Sequence, residues 1–203
     1  MMRIFTVLAS VALGIFFAQV LWAKEFGIIM DVSGQPSLNR DGQIIHVEVG
    51  QELLVGDIIN VPEQSQLVFV TYETCEELTF DESAEVLIVN EDKIVVQKGQ
   101  LLRLKQLPVC YKPESFVYDG PNITGGILLR GAKHGPSDNL AEIARMRKAS
   151  TEDKATNSEL MSLIIFDLQN NDESQARSYY EQLMRKNPEA SVPAPVLKKL
   201  GIN

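Results

Sequence analysis

Short apolar segments separated by turn residues fill the chain from Phe26 to about Val109. Residues Ile45, Val47 and Val49 fall on one face of a segment that alternates with a period near two, which is typical of a β-strand. The predicted strands are Ile28–Val32, Ile44–Val49, Leu53–Val55, Ile58–Ile59, Gln66–Thr71, Leu78–Phe80, Ala84–Val89, Lys93–Gln97 and Leu101–Leu104. Many short strands at close spacing predict a short-stranded β sandwich or roll built from hairpins.

Turn and strand patterns recur in a fixed order along this region. The order is Gly34, then 49–59 with its Gly56-Asp57 pair, then 65–70, then 78–88, and finally 99–102. It resembles the FecR-like extracytoplasmic β domain over residues 26–105. The motifs are turns and strands, so the resemblance implies a β fold outside the cytoplasm and specifies no chemistry.

The first 23 residues have the layout of an export signal. Arg3 is the only charge before Lys24, and residues 4–23 are almost entirely apolar. We predict a signal peptide cleaved after Ala23, and hence a periplasmic or secreted bacterial protein. Because the apolar run approaches the ~20 residues that span a bilayer, the alternative is an uncleaved inner-membrane anchor formed by residues 4–23.

Two cysteines, Cys75 and Cys110, both fall in the exported part. An even number of cysteines in an oxidising compartment predicts a disulfide between them. The alternatives are two buried thiols or a redox pair, although the pair lacks the close Cys-x-x-Cys spacing of redox sites.

Charge is distributed unevenly. Residues 24–120 contain 17 acids and 7 Lys or Arg, a net charge of −10, whereas residues 121–203 contain 10 acids and 11 bases, a net charge of +1. An acidic surface repels phosphate backbones, so we expect no binding of nucleic acid. The acidic side chains are interpreted as a solvated face, with specific cation capture as the alternative.

Glycine and proline mark a boundary after the β region. We predict a β domain at 24–112, a linker or extension at 113–136, and a helical C-terminal region at 137–203. The extension contains one apolar strand, Ile127–Leu129.

Helical periods begin after Pro136. Ser137 or Asp138 caps a first predicted helix that ends near Lys148, with Leu140, Ile143 and Ala144 as its apolar stripe. Thr156 and Glu159 have capping-box spacing before a second helix that is apolar almost all round. A third amphipathic helix carries its apolar face on Ala176, Tyr179, Tyr180, Leu183 and Met184, and ends before Pro188.

The second and third helices are similar to one tetratricopeptide repeat. The similarity lies in Leu163, Ala176, Tyr180, Leu183 and Pro188. Such a repeat needs neighbours to cover its faces. Two interpretations therefore stand: a helical hairpin that packs on the β domain, or a partner-binding groove.

Catalytic patterns are sparse. His46 and His134 are the only histidines and cannot assemble a histidine metal site, so we predict no catalytic, cofactor-binding or metal-binding residue. Paired carboxylates are present at Glu73, Glu76, Glu77, Asp81 and Glu82, without the spacing of a calcium loop.

These features predict a non-catalytic exported envelope protein that acts as a binding or assembly module. Its expected partner is another envelope protein, or a cell-wall or envelope ligand. It would meet the membrane only through an uncleaved signal segment. The alternatives are a membrane-anchored extracytoplasmic regulator or sensor, and a hydrolase or lyase that uses the acidic cluster.

Overall fold

The computed structural model describes residues 23–81, 83–113 and 136–202. Within these ranges ten strands precede four helices, so the predicted class, mainly β with an α-helical C-terminal part, is confirmed. The strands are β1 Glu25–Ser33, β2 Ser37–Arg40, β3 Gln43–His46, β4 Glu52–Leu54, β5 Ile58–Val61, β6 Gln66–Thr71, β7 Glu76–Asp81, β8 Ala84–Asn90, β9 Lys93–Lys98 and β10 Leu101–Gln106. The helices are α1 Pro136–Thr151, α2 Asn157–Gln169, α3 Glu173–Lys186 and α4 Ala194–Lys199.

Several predicted features lie outside the described residues. They are the signal segment up to residue 22, the strand Ile127–Leu129, His134 and Glu82.

The strands form two antiparallel sheets of five strands each. Sheet A has the order β10-β7-β6-β1-β4, and sheet B has the order β3-β2-β5-β8-β9. Their inner faces enclose one apolar core in which the Phe69 ring stacks on Phe80, with centroids 5.8 Å apart, and lies 6.1 Å from Phe26. Alternate residues of β5, β6, β7 and β8 fill this core, as expected for a sandwich.

Strand β2 was not predicted. Its single core residue, Leu38, stands among the polar residues Ser37, Asn39 and Arg40, so the segment lacks the apolar alternation of a strand. A two-residue turn with positive φ at Asp41 (54°) and Gly42 (81°) joins it to β3, which is the favoured hairpin geometry. The predicted strand Ile44–Val49 is correspondingly shorter and ends at His46.

The Gly56-Asp57 pair has a structural role. Asp57 is only 1% exposed and accepts hydrogen bonds from Arg40 Nε (2.9 Å), Arg40 Nη2 (2.8 Å) and the Leu54 backbone N–H (2.8 Å). Because Arg40 lies on β2, this carboxylate holds the turn between β4 and β5 against the neighbouring strand. A two-pronged, charge-assisted contact of this kind is strong and directional.

Sheet A is apolar on its outer face as well. Ile28 and Met30 on β1, and Val70 on β6, point away from the sandwich core and are buried beneath the helices. Helix α2 lies against this face, where Asn157 Nδ2 donates to the Met30 carbonyl (3.2 Å) and Ser162 Oγ donates to the Val109 carbonyl (2.5 Å). The helical layer and sheet A therefore share a second apolar core.

The predicted capping box of α2 corresponds to a real helix start, and α3 has a cap that was not predicted. Thr156 and Glu159 form the capping box of α2, and Asp172 caps α3 by accepting from the Gln175 backbone N–H (3.1 Å). None of the helices in the described ranges is long and apolar enough to cross a membrane.

Helix α1 differs from its prediction. It extends to Thr151, and its buried side is formed by Ile143 and Met146. Leu140 is 60% exposed and Ala144 is also exposed. The helical period is consistent with the predicted stripe and with the observed one. Contact with α2 decides which side chains of α1 are buried.

The apolar faces of α2 and α3 are used inside the molecule. Leu163, Ala176 and Leu183 are fully buried in the second core, and Val196 and Leu200 at the C-terminal end are buried in the same core. Of the two interpretations of the helical hairpin, the structure shows the one that packs on the β sheet.

The disulfide between Cys75 and Cys110 is confirmed, with 5.4 Å between its Cα atoms. Cys75 lies in the turn between β6 and β7, and Cys110 follows β10. The Leu107 N–H also donates to the Cys75 carbonyl (2.9 Å). The bond therefore holds residues 107–111 under the helical layer, where Val109 and Tyr111 contribute to the second core.

Removing the disulfide should destabilise the fold. We expect Cys75→Ala combined with Cys110→Ala to lower the free energy of unfolding by about 3 kcal/mol, because the unfolded chain gains the entropy of the opened loop. Urea titration measures the change. Reductant should produce the same loss in the wild-type protein and no further loss in the double variant. Equal urea midpoints for all samples would contradict this role.

One carboxylate connects three elements of the helical layer. Glu159 on α2 is 3% exposed and accepts from Lys105 Nζ on β10 (2.5 Å), from Arg145 Nη2 on α1 (2.5 Å) and from the Thr156 N–H (2.8 Å). Burial opposes its ionisation, but these hydrogen bonds outweigh burial and lower the pKa of Glu159 to about 2.

The lowered pKa makes part of the stability depend on pH. A group whose pKa falls on folding stabilises the protein above its unfolded value, ~4.3, and this contribution is lost as the pH falls towards about 2. We expect Glu159→Gln to cost about 2 kcal/mol at pH 7 and almost nothing near pH 2, as measured by urea titration across pH. Glu152→Gln, which breaks an exposed pair with Lys154, is the control and should change little. A Glu159→Gln deficit that persists at low pH would contradict the assignment.

Candidate protein-binding surface

Large apolar side chains that remain exposed concentrate at one side of the sandwich. Leu102 and Leu104 on β10 are 51% and 52% exposed, and Val95 and Val96 on β9 are also exposed. Val89, at the end of β8, adjoins them. We call β9 and β10 with these side chains the β9–β10 edge.

This side is an edge in both sheets. Among the described strands, β9 pairs only with β8, and β10 pairs only with β7. The short turn at Gly99 carries the chain from one sheet to the other, so the two edges lie side by side. An edge strand presents backbone N–H and C=O groups that another strand can pair with.

Two of the exposed side chains, Val96 and Leu104, lie on the core-facing side of their strands. Val96 lies opposite Val86, and Leu104 lies opposite Leu78, in their sheets. Both opposite residues are buried core positions, whereas Val96 and Leu104 reach solvent because no further strand of the described chain covers them. The rim of the core is therefore open between β9 and β10.

The β9–β10 edge is also basic. Lys93, Lys98 and Arg103 are exposed and form no ion pair with another described residue. In contrast, Lys105 is occupied by Glu159. Two acids lie near these cations, Asp92 beside Lys93 and Glu85 of β8 opposite Lys98, so the edge has a small positive excess on a β region whose sequence is strongly acidic.

The structure does not gather the predicted acidic cluster into one site. Glu77 is buried, whereas Glu76, its neighbour on β7, accepts from Thr74 Oγ1 (3.0 Å). Glu73 lies 3.9 Å from Lys112 Nζ. In the described parts of the chain, no group of three or more His, Cys, Asp or Glu side chains is placed to hold a metal ion. His46 is exposed on β3.

The cavity beneath α2 is small. It has a volume of about 10 Å³ and is lined by Ile28, Tyr72, Cys110 and Met161, among other side chains. Burial raises the pKa of Tyr72, whose hydroxyl has no hydrogen-bond partner within the described structure. A space of this size corresponds to about one water molecule. Organic ligands need ~300 Å³ or more, so this cavity is not a ligand site.

Sequence reasoning missed the β9–β10 edge. The signal was present, because Val95-Val96 and Leu101-Leu102 break the strict alternation of a strand with one buried face. The pattern alone did not distinguish a strand buried on both faces from one that exposes apolar side chains. That distinction depends on the sheet order.

The exposed apolar side chains should contribute little to folding. We expect Val95→Thr to change the free energy of unfolding by less than about 0.5 kcal/mol. The same substitution at the buried position Val86, Val86→Thr, should cost about 1 to 3 kcal/mol because it buries a hydroxyl. Urea titration of both variants makes the comparison. Equal losses would show that Val95 is needed for the core.

Comparisons with known proteins identify no relative. No protein-family model, no curated protein and no solved structure matches the chain. The similarities to the FecR-like domain and to a tetratricopeptide repeat therefore remain predictions from sequence patterns.

Proposed function

We propose that this chain is a non-catalytic, exported envelope protein that binds a polypeptide partner through the β9–β10 edge. The observation that carries the proposal is the coincidence, on one side of the sandwich, of two unpaired strand edges, exposed Val and Leu side chains, and exposed cations. Isolated apolar side chains on a surface are ordinary, but several exposed apolar side chains on two neighbouring strand edges favour a site of interaction.

The chemistry of this surface favours a polypeptide in an extended conformation. A strand added to β9 or β10 would pair with the free backbone groups, and its alternate side chains would cover Val96 and Leu104. In this proposal, the open rim of the sandwich core becomes the centre of the interface. Exposed Lys93, Lys98 and Arg103 favour an acidic partner.

The helical layer supports this surface and is not itself the binding groove. Its apolar faces are buried against sheet A, and the Lys105–Glu159 ion pair connects β10 to α2. In this proposal, the FecR-like β domain supplies the interaction and the tetratricopeptide-like hairpin supports the β10 edge.

The disulfide supports an oxidising, extracytoplasmic location. Together with the apolar segment at residues 4–23, it favours the periplasm or the cell exterior. An envelope protein is therefore the class of partner that we propose.

Site-specific photocrosslinking in the cells that make the protein tests this function. A photoreactive amino acid replaces Val95 or Leu102. In the control it replaces Glu181, an exposed residue of helix α3 in the helical layer. We expect discrete crosslinked protein adducts from positions 95 and 102 and none from position 181. Adducts that are absent from all three positions, or equal at all three, would overturn the proposal.

A further inference from the structure

We propose that the partner of the β9–β10 edge is a second copy of this chain, which docks with its β3–β4 edge. The contact is head-to-tail: the β9–β10 edge of one copy binds the β3–β4 edge of the next copy. This inference rests on the proposed function, because it names the partner of the same surface.

The opposite side of the sandwich carries the complementary charge. Here β3 is the last strand of sheet B and β4 is the last strand of sheet A. Glu25, Asp41, Glu48 and Glu52 are all exposed on or beside these strands. Arg40, a cation on the same side, is engaged by Asp57. We call this side the β3–β4 edge.

The β3–β4 edge also has an apolar side chain that the monomer leaves uncovered. Ile44 on β3 is 80% exposed, the largest exposure of any large apolar residue in the described chain. It points to the outer face of sheet B, because its neighbour Ile45 lies opposite the core residue Leu38. A second copy that covers Ile44 would remove this exposed surface from water.

Two acids of the β3–β4 edge, Glu25 and Glu52, repel one another. Partial burial, followed by the nearby charge of Glu25, raises the pKa of Glu52, and Arg40 opposes this effect. An incoming cation would relieve the repulsion. Arg103 suits this place because it lies on β10, the edge of sheet A that would approach β4, and it is exposed.

Sheet order sets the direction of the contact. Four antiparallel steps separate β3 from β9, so the two strands run in the same direction within one copy. A second copy that continues sheet B, with its inner face on the same side, therefore places β3 parallel to β9. Parallel strands form regular ladders, although their pairing is slightly weaker per residue than antiparallel pairing.

A register that matches the faces brings two exposed apolar side chains together. Val95 lies opposite Leu87 on the outer face of sheet B, so it aligns with Ile44 of the second copy. In this register Lys93 lies opposite Gly42 and Lys98 lies opposite Val47, so each cation is one residue from an acid of the second copy, whereas Asp41 lies opposite Asp92. The charge complementarity therefore belongs to the two edges as a whole, where three exposed cations meet four exposed acids.

Charge also disfavours the symmetric alternative. A two-fold contact would bring two β9–β10 edges together, each with Lys93, Lys98 and Arg103 exposed. Like charges across an interface select against such a pairing. A head-to-tail contact does not close on itself unless it forms a ring, so it produces a ring or a filament.

Reversing the charged residues of each edge in turn tests the inference. The full chain is expressed with its own signal segment, purified from the envelope and examined by sedimentation velocity over a concentration series. We expect wild-type protein to associate, more weakly at high salt. Lys93→Glu with Lys98→Glu makes the β9–β10 edge acidic, like the β3–β4 edge that it would contact. Asp41→Lys with Glu48→Lys places two cations on the β3–β4 edge, next to the cations of the β9–β10 edge of the next copy, and leaves Glu25 and Glu52 in place. Each double variant alone should associate at least about tenfold more weakly than wild type.

Mixing the two double variants is the decisive measurement. At every contact between the two variants, positions 41 and 48 of one then carry charges opposite to positions 93 and 98 of the other, so association should return towards the wild-type level. No recovery on mixing, with both variants folded by circular dichroism, would overturn the head-to-tail contact. Unchanged association of the Asp41→Lys, Glu48→Lys variant alone would indicate a symmetric β9–β10 contact and would also overturn it.

The outcomes separate this inference from the proposed function. If wild-type protein stays monomeric at every concentration while Val95 crosslinks to another envelope protein, the self-association fails and the binding function stands. If neither association nor a crosslink at position 95 is found, both fail.

Discussion

Sheet A must be covered on both faces, and most of the architecture follows from this constraint. Strand β1 points Phe26 and Ile29 into the sandwich, and it points Ile28 and Met30 out of it. A sheet with one apolar face needs one covering layer, whereas this sheet needs two. Sheet B provides one layer and the helices provide the other. The helical region is therefore the third layer of the β structure, and α2 is apolar almost all round because it is the central element of that layer.

Directional contacts at the margins set the position of the helical layer. Apolar burial alone would allow α2 to slide over the sheet, since hydrophobic contacts have no preferred direction. Three kinds of contact prevent this: the disulfide that holds residues 107–111, the Ser162–Val109 hydrogen bond, and the carboxylate of Glu159 between Lys105 and Arg145. The last of these connects the edge strand β10 to two helices, so the edge is held by the same contacts that hold the layer.

The two open sides of the sandwich differ in a way that folding does not require. One side combines exposed Val and Leu with cations, and the other combines exposed Ile44 with acids. Natural proteins usually protect sheet edges with charges, and Lys93 and Lys98 could serve only that purpose on β9. Protection of the edges by charge does not account for the exposed Val and Leu side chains of the two edge strands. The opposite charges of the two sides give this surface a complement within the same chain.

The sequence alone determined the strand-rich region, the helical tail, the disulfide partners and the capping residues of α2, because each depends on short-range patterns or on the simple count of cysteines. It did not reveal β2, which has a single core residue among polar ones, and whose Arg40 is explained only by its ion pair with Asp57. It could not choose between Leu140 and Met146 as the buried position of α1, since the helical period is consistent with both. Above all, it could not show which apolar strands end a sheet. Val86 and Val96 are the same residue type at paired positions of neighbouring strands, and only the order β3-β2-β5-β8-β9 places one inside the core and the other at an open edge. Strand order is a long-range property of the fold, and a pattern of alternation carries no information about it.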